Sequence, residues 1–245
     1  MYAFKGKPVK NRIFLLIIIV LISNSCGIFK THHKDKLIDF ENNSLTNESL
    51  KLNGYYFAEF ELEYGENAPP FIDDYIKKTG INKIKYLSVF FIYEDGFVIN
   101  VGGINGLSRY YCAEKENYEN TYESAHKTIE LMLESQNSTE KRTKRICGYS
   151  PDDIGNKGLV QIDKDKIKIQ LYRIEKQNPT KDSFNSAYLY ELNGTIKSNS
   201  SFVMKSEMEF RTKEITPENQ VFEFRQTEQK PNIENYFKKN KNRFK

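Results

Sequence analysis

Eight short segments in which polar and apolar residues alternate constrain the fold of this 245-residue chain more than any other feature. In the first segment, residues 55–64, apolar or aromatic side chains occupy every even position, and Glu59, Glu61 and Glu63 lie between them. Because successive side chains of a strand point to opposite faces, this pattern predicts a strand with one buried face. The other seven predicted strands are residues 84–93, 97–101, 158–163, 167–173, 187–197, 202–210 and 221–227.

Tight turns connect most of these segments. Glu94-Asp95-Gly96 and Lys164-Asp165-Lys166 each predict a β-hairpin. Asn193-Gly194 predicts a bulge or bend within a strand, the alternation slips at Ser206, and Gly102-Gly103 is expected to end its strand. About eight antiparallel strands joined in this way favour an up-and-down barrel or a strongly curved sheet, whose interior 17 Phe and 16 Tyr are sufficient to fill.

One segment follows a helical period instead. In residues 117–135, apolar side chains recur on one stripe and charged ones lie opposite, which predicts an amphipathic helix. The helix lies within an insert, residues 112–147, whose two ends a Cys112–Cys147 bridge would pin. The helix itself is a candidate cover for one mouth of the barrel. Residues 71–78 predict a short helical turn.

The strand sequences GLVQID, IKIQLYR and AYLYELNGTIK, with FFIYEDGFV upstream, resemble uncharacterised lipocalin-like lipoprotein domains of the Bacteroidota. The resemblance covers less than half of the chain. The resemblance implies a barrel, and it implies no reaction because none is assigned to these domains. The β domain is predicted to span residues 54–228.

The N-terminus predicts export. Four cations precede ten unbroken apolar residues, 13–22, which as a helix would reach about 15 Å, half of a bilayer core of about 30 Å. This length is typical of a signal peptide, predicted here as residues 1–25. Ser25-Cys26 resembles the end of a lipobox of the loose Bacteroidota type, although Ser23 and Asn24 stand where Leu and a smaller residue are usual. Cys26 is therefore the predicted lipidation site; the alternative is an ordinary cleaved signal with an incidental Cys.

Both ends of the β domain are predicted to be flexible. Residues 26–53 are polar without a sustained period and are interpreted as a tether, in which His32 and His33 face solvent. The lysines that follow Cys26 contrast with the acidic cluster of surface-exported lipoproteins, which favours an outer-membrane anchor facing the periplasm. Residues 229–245 are basic and are interpreted as a solvated tail.

The charge and the cysteine content restrict the classes of partner and cofactor that the sequence predicts. The four cations of residues 1–25 account for the whole formal charge of +4, so the mature chain is neutral and gives no support to nucleic-acid binding. In an oxidising compartment Cys112 and Cys147 are a candidate disulfide, with two unpaired thiols as the alternative. Neither has a second ligand at metal-binding spacing, so no metal or cofactor is predicted.

No catalytic residue is predicted. A nucleophile needs a base, and His126, on the edge of the helical stripe, favours a structural role. The acidic pairs Asp73-Asp74 and Asp152-Asp153 are typical of helix starts and turns.

The leading hypothesis is a non-enzymatic, lipid-anchored envelope protein that binds a small apolar ligand or a protein partner through the barrel. The alternatives are an accessory subunit whose barrel is filled by its own side chains, and a hydrolase that uses the paired carboxylates.

Overall fold

A computed structural model of the chain describes residues 30–107, 117–137, 139, 154–175 and 186–244. Within these residues nine strands and three α-helices form. The strands are β1 (Lys30–Thr31), β2 (Gly54–Glu63), β3 (Lys83–Ile92), β4 (Phe97–Asn105), β5 (Lys157–Asp163), β6 (Lys166–Glu175), β7 (Ser186–Ser198), β8 (Ser201–Glu209) and β9 (Ile215–Gln226). The helices are α1 (Pro70–Thr79), α2 (Tyr122–Ser135) and α3 (Tyr236–Lys239), with short 3₁₀ turns at Lys34–Lys36 and Lys241–Arg243.

Strands β2 to β9 form a closed, eight-stranded up-and-down barrel. Each pairs antiparallel with the next along the chain, and β9 returns to pair with β2. The short β1 adds to β7 in parallel, outside the ring. The predicted barrel and all eight predicted strands are confirmed, because the alternation that marks a half-buried strand extends through each of them.

Two irregularities of the sequence are bulges in the structure. Lys205 is an extra residue of β8, since Asn193 pairs with Ser206 and Gly194 with Met204. Because of this extra residue, the inward-facing positions of β8 shift by one after Met204. Glu207 therefore faces the interior, as Met204 does. The prediction that Gly102-Gly103 ends its strand is wrong: β4 continues to Asn105, and the glycine pair forms a bulge opposite β3, where Gly103 has φ +71°.

The β3–β4 turn depends on a glycine. Gly96 has φ +75°, a conformation that a Cβ disfavours, and a Cβ at this position would lie 2.1 Å from the Asn43 side-chain nitrogen. Asn43 in turn donates a hydrogen bond of 2.6 Å to the Val160 carbonyl oxygen. The turn is thus packed against the N-terminal segment.

The barrel interior is apolar and aromatic in its lower half, defined as the end at Gly54 and the β3–β4 turn. Every barrel strand contributes a buried side chain there. The rings of Tyr56 and Phe202 lie 5.1 Å apart, those of Phe202 and Phe222 5.1 Å, and those of Phe90 and Phe222 4.9 Å. This aromatic cluster fills the lower half.

Both ends of the barrel are covered. At the lower end Leu45, Leu50 and Leu52, from the segment before β2, join the interior cluster. At the upper end α1, in the connection from β2 to β3, buries Ile72 against Ile84 and Tyr86 of β3. The predicted helical turn at residues 71–78 is therefore a helix that covers part of the upper mouth.

Helix α2 packs on the outside of the barrel and covers no mouth. Ala125, Ile129 and Leu133 are buried against the outer faces of β3 and β4. The helix begins later than residue 117, because Thr121 caps it by accepting a hydrogen bond from Ser124 N at 3.0 Å. Just before the cap, the Asn120 side chain bonds to the backbone of Lys83 and Lys85 at 2.8 Å each.

The prediction of a flexible tether is wrong for residues 30–53. Ile38 and Phe40 are buried on the outer face of the barrel. The Gln170 side chain accepts a hydrogen bond from Ile38 N at 2.7 Å and donates one to the Lys36 carbonyl oxygen at 3.0 Å. Apolar residues scattered without a period gave no signal, because each fills a separate site on the barrel.

The prediction of a solvated C-terminal tail is also wrong. Tyr236, Phe237 and Phe244 are buried in the same outer cluster. The Lys230 ammonium donates hydrogen bonds to the carbonyl oxygens of Leu52, at 2.8 Å, and Ile92. The aromatic residues anchor the segment, and its cations other than Lys230 are exposed in the described part, namely Lys238, Lys239, Lys241 and Arg243.

Candidate functional site

The upper half of the barrel encloses a cavity of about 190 Å³ between the aromatic cluster and the upper rim. Its floor is apolar and its rim is polar. The floor is formed by Phe90, Leu171, Leu192, Met204 and Phe222, and the rim by Ser88, Asn100, Arg173, Glu207, Glu218 and Gln220. An apolar base beneath a few convergent polar groups is the usual composition of a small-molecule site.

An ion pair dominates the rim. Arg173 of β6 donates hydrogen bonds to Glu207 of β8 through both terminal guanidinium nitrogens, from Nη1 to Oε1 at 2.6 Å and from Nη2 to Oε2. The guanidinium also lies 4.3 Å from the ring centre of Tyr190. Arg173 shares the inward face of Ile169 and Leu171, and this pairing holds its charge at a fixed place above the apolar floor.

A second charged group lies further up the same strands. Arg211 binds both oxygens of Glu175, at 2.7 and 3.0 Å, and its guanidinium lies 4.1 Å from the ring centre of Tyr188. The Tyr190 hydroxyl donates to Glu175 at 3.3 Å, and burial raises the pKa of Tyr190 to about 12. The phenol is therefore neutral and acts as a hydrogen-bond donor at neutral pH.

The prediction that the histidine pair faces solvent is wrong for His32. Its ring stacks on Tyr188 with centroids 4.6 Å apart and planes 13° apart, at the upper end of β7. Burial lowers the pKa of His32, and the neighbouring Lys30 lowers it further. Among the residues that the structure describes, no group of three or more His, Cys, Asp or Glu side chains is arranged to hold a metal ion.

The barrel wall is unpaired between the upper parts of β2 and β9, and this unpaired stretch is called the sideways opening. The paired register of these strands covers only Gly54–Phe57 and Glu223–Gln226, so the strands separate above Phe57. An outer groove of about 390 Å³ lies along this separation. Gln220 lines both the inner cavity and the outer groove, so the two are adjacent at this residue.

The outer groove is acidic. Glu59 of β2 and Glu223 of β9 line it from opposite sides. The pKa of Glu59 is raised by partial burial and by the negative charge of Glu223, and Lys85 offsets part of this effect. The groove therefore favours a cation.

The candidate lipidation and disulfide residues, Cys26, Cys112 and Cys147, lie outside the described residues, as does the acidic pair Asp152-Asp153. Their roles stay predictions. Of the other acidic pair, Asp73 contacts Lys77 on the same helix at 2.5 Å, and Asp74 is exposed. Neither carboxylate is among the groups that line the cavity.

His126 is buried beside the barrel wall. Its Nδ1 and the Tyr55 hydroxyl are hydrogen-bonded at 2.8 Å, and the Phe57 ring packs edge-on at 4.5 Å. Burial lowers the pKa of His126 to about 4. A neutral, packed imidazole of this kind fits the structural role predicted from the sequence.

Sequence reasoning missed the rim residues, although one signal was present. In the β6 segment, Arg173 continues the alternation of Ile167, Ile169 and Leu171. The alternation therefore predicts that the Arg173 side chain faces the interior. Glu207 gave no such signal, because the bulge at Lys205 alters the phase of β8.

In the part of the chain that the structure describes, no helix is long and apolar enough to cross a bilayer. No protein-family model matches the chain, and no match was found among curated proteins or among solved structures.

Proposed function

We propose that this protein is a non-catalytic, lipid-anchored envelope protein whose barrel holds a small amphipathic ligand in the upper cavity. The observation that carries this proposal is the cavity itself, with its apolar floor and its polar rim, beside the unpaired stretch of wall between β2 and β9. The fold alone would support many functions, so the proposal depends on this site.

The size and charge of the cavity define the ligand. A volume of about 190 Å³ is below the roughly 300–1,000 Å³ of sites for drug-sized molecules. The ligand is therefore a short chain, or the end of a longer one that enters between β2 and β9. Arg173, Glu207 and Glu218 give the rim one excess negative charge, which favours a cationic head group over an anionic one. A wholly apolar ligand would form no hydrogen bonds with the rim, so an amphipathic ligand fits the site better.

Ligand binding is tested by titrating the purified mature chain with hexylamine, hexanoate and hexane-1,2-diol in a calorimeter. Hexylamine is expected to bind more tightly than hexanoate. Met204→Trp, which fills the cavity from its floor, is expected to abolish binding, and Ile81→Thr, at an exposed residue away from the cavity and the groove, is expected to leave it unchanged. Equal or absent binding of all three probes to the wild-type chain would refute the proposal.

Support for the lipid anchor comes from the N-terminal sequence, with its cations, its short apolar run and Ser25-Cys26. Periplasm-facing attachment to the outer membrane follows from the lysines after Cys26. Cys26→Ala is expected to abolish metabolic labelling with palmitate, and continued labelling of this variant would exclude lipidation at Cys26.

The same compartment supports a disulfide between Cys112 and Cys147. Under denaturing conditions both thiols are expected to resist alkylation until a reductant is added. Quantitative alkylation without reductant would show that there is no bridge.

One observation favours a second candidate function, that of an accessory subunit with a filled barrel. The aromatic cluster of Tyr56, Phe90, Phe202 and Phe222 already occupies the lower half. If the three probes fail to bind while the protein co-purifies with an envelope complex, this second function replaces the first.

A further inference from the structure

Two strand edges face each other across the sideways opening without pairing. On β2, residues 58–63 pair with β3 alone, and on β9, residues 215–222 pair with β8 alone. Within the described part of the chain no other strand is registered against these two edges. Unpaired edges of this kind present rows of backbone N–H and C=O groups that can accept a further strand.

The side chains along the edges define what such a strand must carry. Glu59, Glu61 and Glu63 are exposed on one edge, and Glu218 and Glu223 are exposed on the other. Lys85 and Lys83 are the cross-strand partners of Glu61 and Glu63, whereas Glu59 and Glu223 have no cation as their cross-strand partner. The exposed Leu62 and Val221 add an apolar surface beside the acids.

A second copy of this chain does not fit the opening well. It would bring the same acids opposite these acids, and like charges that face each other across strands are destabilising. Pro217, which lacks a backbone N–H, further limits pairing at the upper end of β9. A chain of opposite charge avoids the charge repulsion, and Pro217 limits its pairing with β9 to the residues below it, 218–222.

We propose that an extended, lysine- or arginine-rich segment of a partner protein adds as a strand between β2 and β9. Its backbone would bond to the two free edges. Its outward cations would lie near Glu59 and Glu223, and its inward side chains would point towards Gln220 and the cavity. This is β-strand addition, in which main-chain hydrogen bonds supply affinity and alternate side chains supply specificity. It goes beyond the small-ligand proposal and does not depend on it.

The test uses a defined probe, the peptide acetyl-Lys-Val-Lys-Val-Lys-Val-amide, and its analogue with alternate backbone nitrogens methylated. Both carry the same charge, but the methylated peptide can pair through one of its edges only and so cannot bond to β2 and β9 at once. We expect the unmodified peptide to bind the mature chain and to slow amide hydrogen exchange in residues 58–63 and 218–222. Equal affinity of the methylated analogue, or protection confined to other parts of the chain, would overturn the proposal.

Charge is tested with two variants that change the net charge equally. Glu59→Gln/Glu223→Gln is expected to weaken peptide binding about 5-fold, as the loss of two partly exposed ion pairs implies. The control, Glu48→Gln/Asp163→Asn, alters exposed acids away from the opening and is expected to leave binding unchanged. Equal weakening by both variants would mean non-specific attraction and would also overturn the proposal.

Amide hydrogen exchange distinguishes peptide binding at the strand edges from ligand binding in the cavity and from association between copies of the chain. Hexylamine occupies only the cavity, so it is expected to leave exchange in residues 58–63 unchanged, and failure of either probe is seen independently of the other. If protection of both edges instead increases with protein concentration in the absence of peptide, the opening is an interface between copies, and the partner-peptide proposal is wrong.

Discussion

The lower and upper halves of the same barrel are built on different principles. In the lower half, the rings of Tyr56, Phe202 and Phe222 pack together, and Leu50 covers the end. In the upper half the interior carries the Arg173–Glu207 ion pair above a cavity, and the wall opens between β2 and β9. Aromatic packing therefore concentrates in the lower half, where we expect most of the stability to lie. The upper half has less apolar packing, a shorter β2–β9 register and more charged groups.

The largest expected effect lies in the lower half. Phe202→Ala removes a fully buried ring from the aromatic cluster, and we expect it to lower the free energy of unfolding by about 3–5 kcal/mol. Urea unfolding followed by circular dichroism measures this loss. A loss below about 1 kcal/mol would show that the lower half is not the stable one.

A pH effect is expected where the C-terminal segment meets the lower end. Burial lowers the pKa of Lys230 to about 8, below about 10.4 in the unfolded chain. Between these values the unfolded state binds more protons, so stability should rise with pH from about 8 to about 10.4, by about 2–3 kcal/mol. Urea unfolding of the wild type and of Lys230→Met across this range isolates the effect, which should be absent in the variant. The same slope in both proteins would assign it to other groups.

A matched pair of substitutions compares packed and open positions directly. Ala58 and Ser88 are cross-strand partners; Ala58 is buried in the apolar cluster, and Ser88 lines the cavity. We expect Ala58→Leu to cost about 1–3 kcal/mol through overpacking, and Ser88→Leu to cost less because space is available. Thermal unfolding of both variants decides this, and equal costs would mean that the cavity is not available to a side chain.

The smallest effect is expected for the rim ion pair. Arg173 and Glu207 are partly exposed, with side-chain exposures of 44% and 20%. A double-mutant cycle with Arg173→Met and Glu207→Gln should give a coupling energy of about 1 kcal/mol or less. A coupling of several kcal/mol would place the pair among the main stabilising interactions and remove the contrast between the halves.

The sequence predicted the wall of the barrel well, because each strand carries its own local alternation. The alternation also slips at Ser206, next to the bulged Lys205, although the slip alone did not predict a bulge there. It did not predict the roles of Phe40 or Phe244, since a single aromatic residue in a polar segment has no period and its partners are distant in the chain.

The candidate site was less accessible to sequence reasoning than the wall. The alternation in β6 predicts that Arg173 faces the interior. The inward orientation of its partner Glu207 results from the bulge in β8, which the alternation does not predict. The sideways opening depends on where the pairing of β2 with β9 stops. Such pairing between distant segments leaves no local pattern, so only the assembled barrel reveals it.

The short register between β2 and β9 has a consequence for the order of folding. The other seven pairings of the ring join strands that follow each other along the chain, and most can form as local hairpins at a modest entropic cost. The β2–β9 register joins the two ends of the domain through only four residue pairs. Long-range pairing of this kind forms slowly, so we expect the meander to assemble first and ring closure to be the last and most easily reversed step.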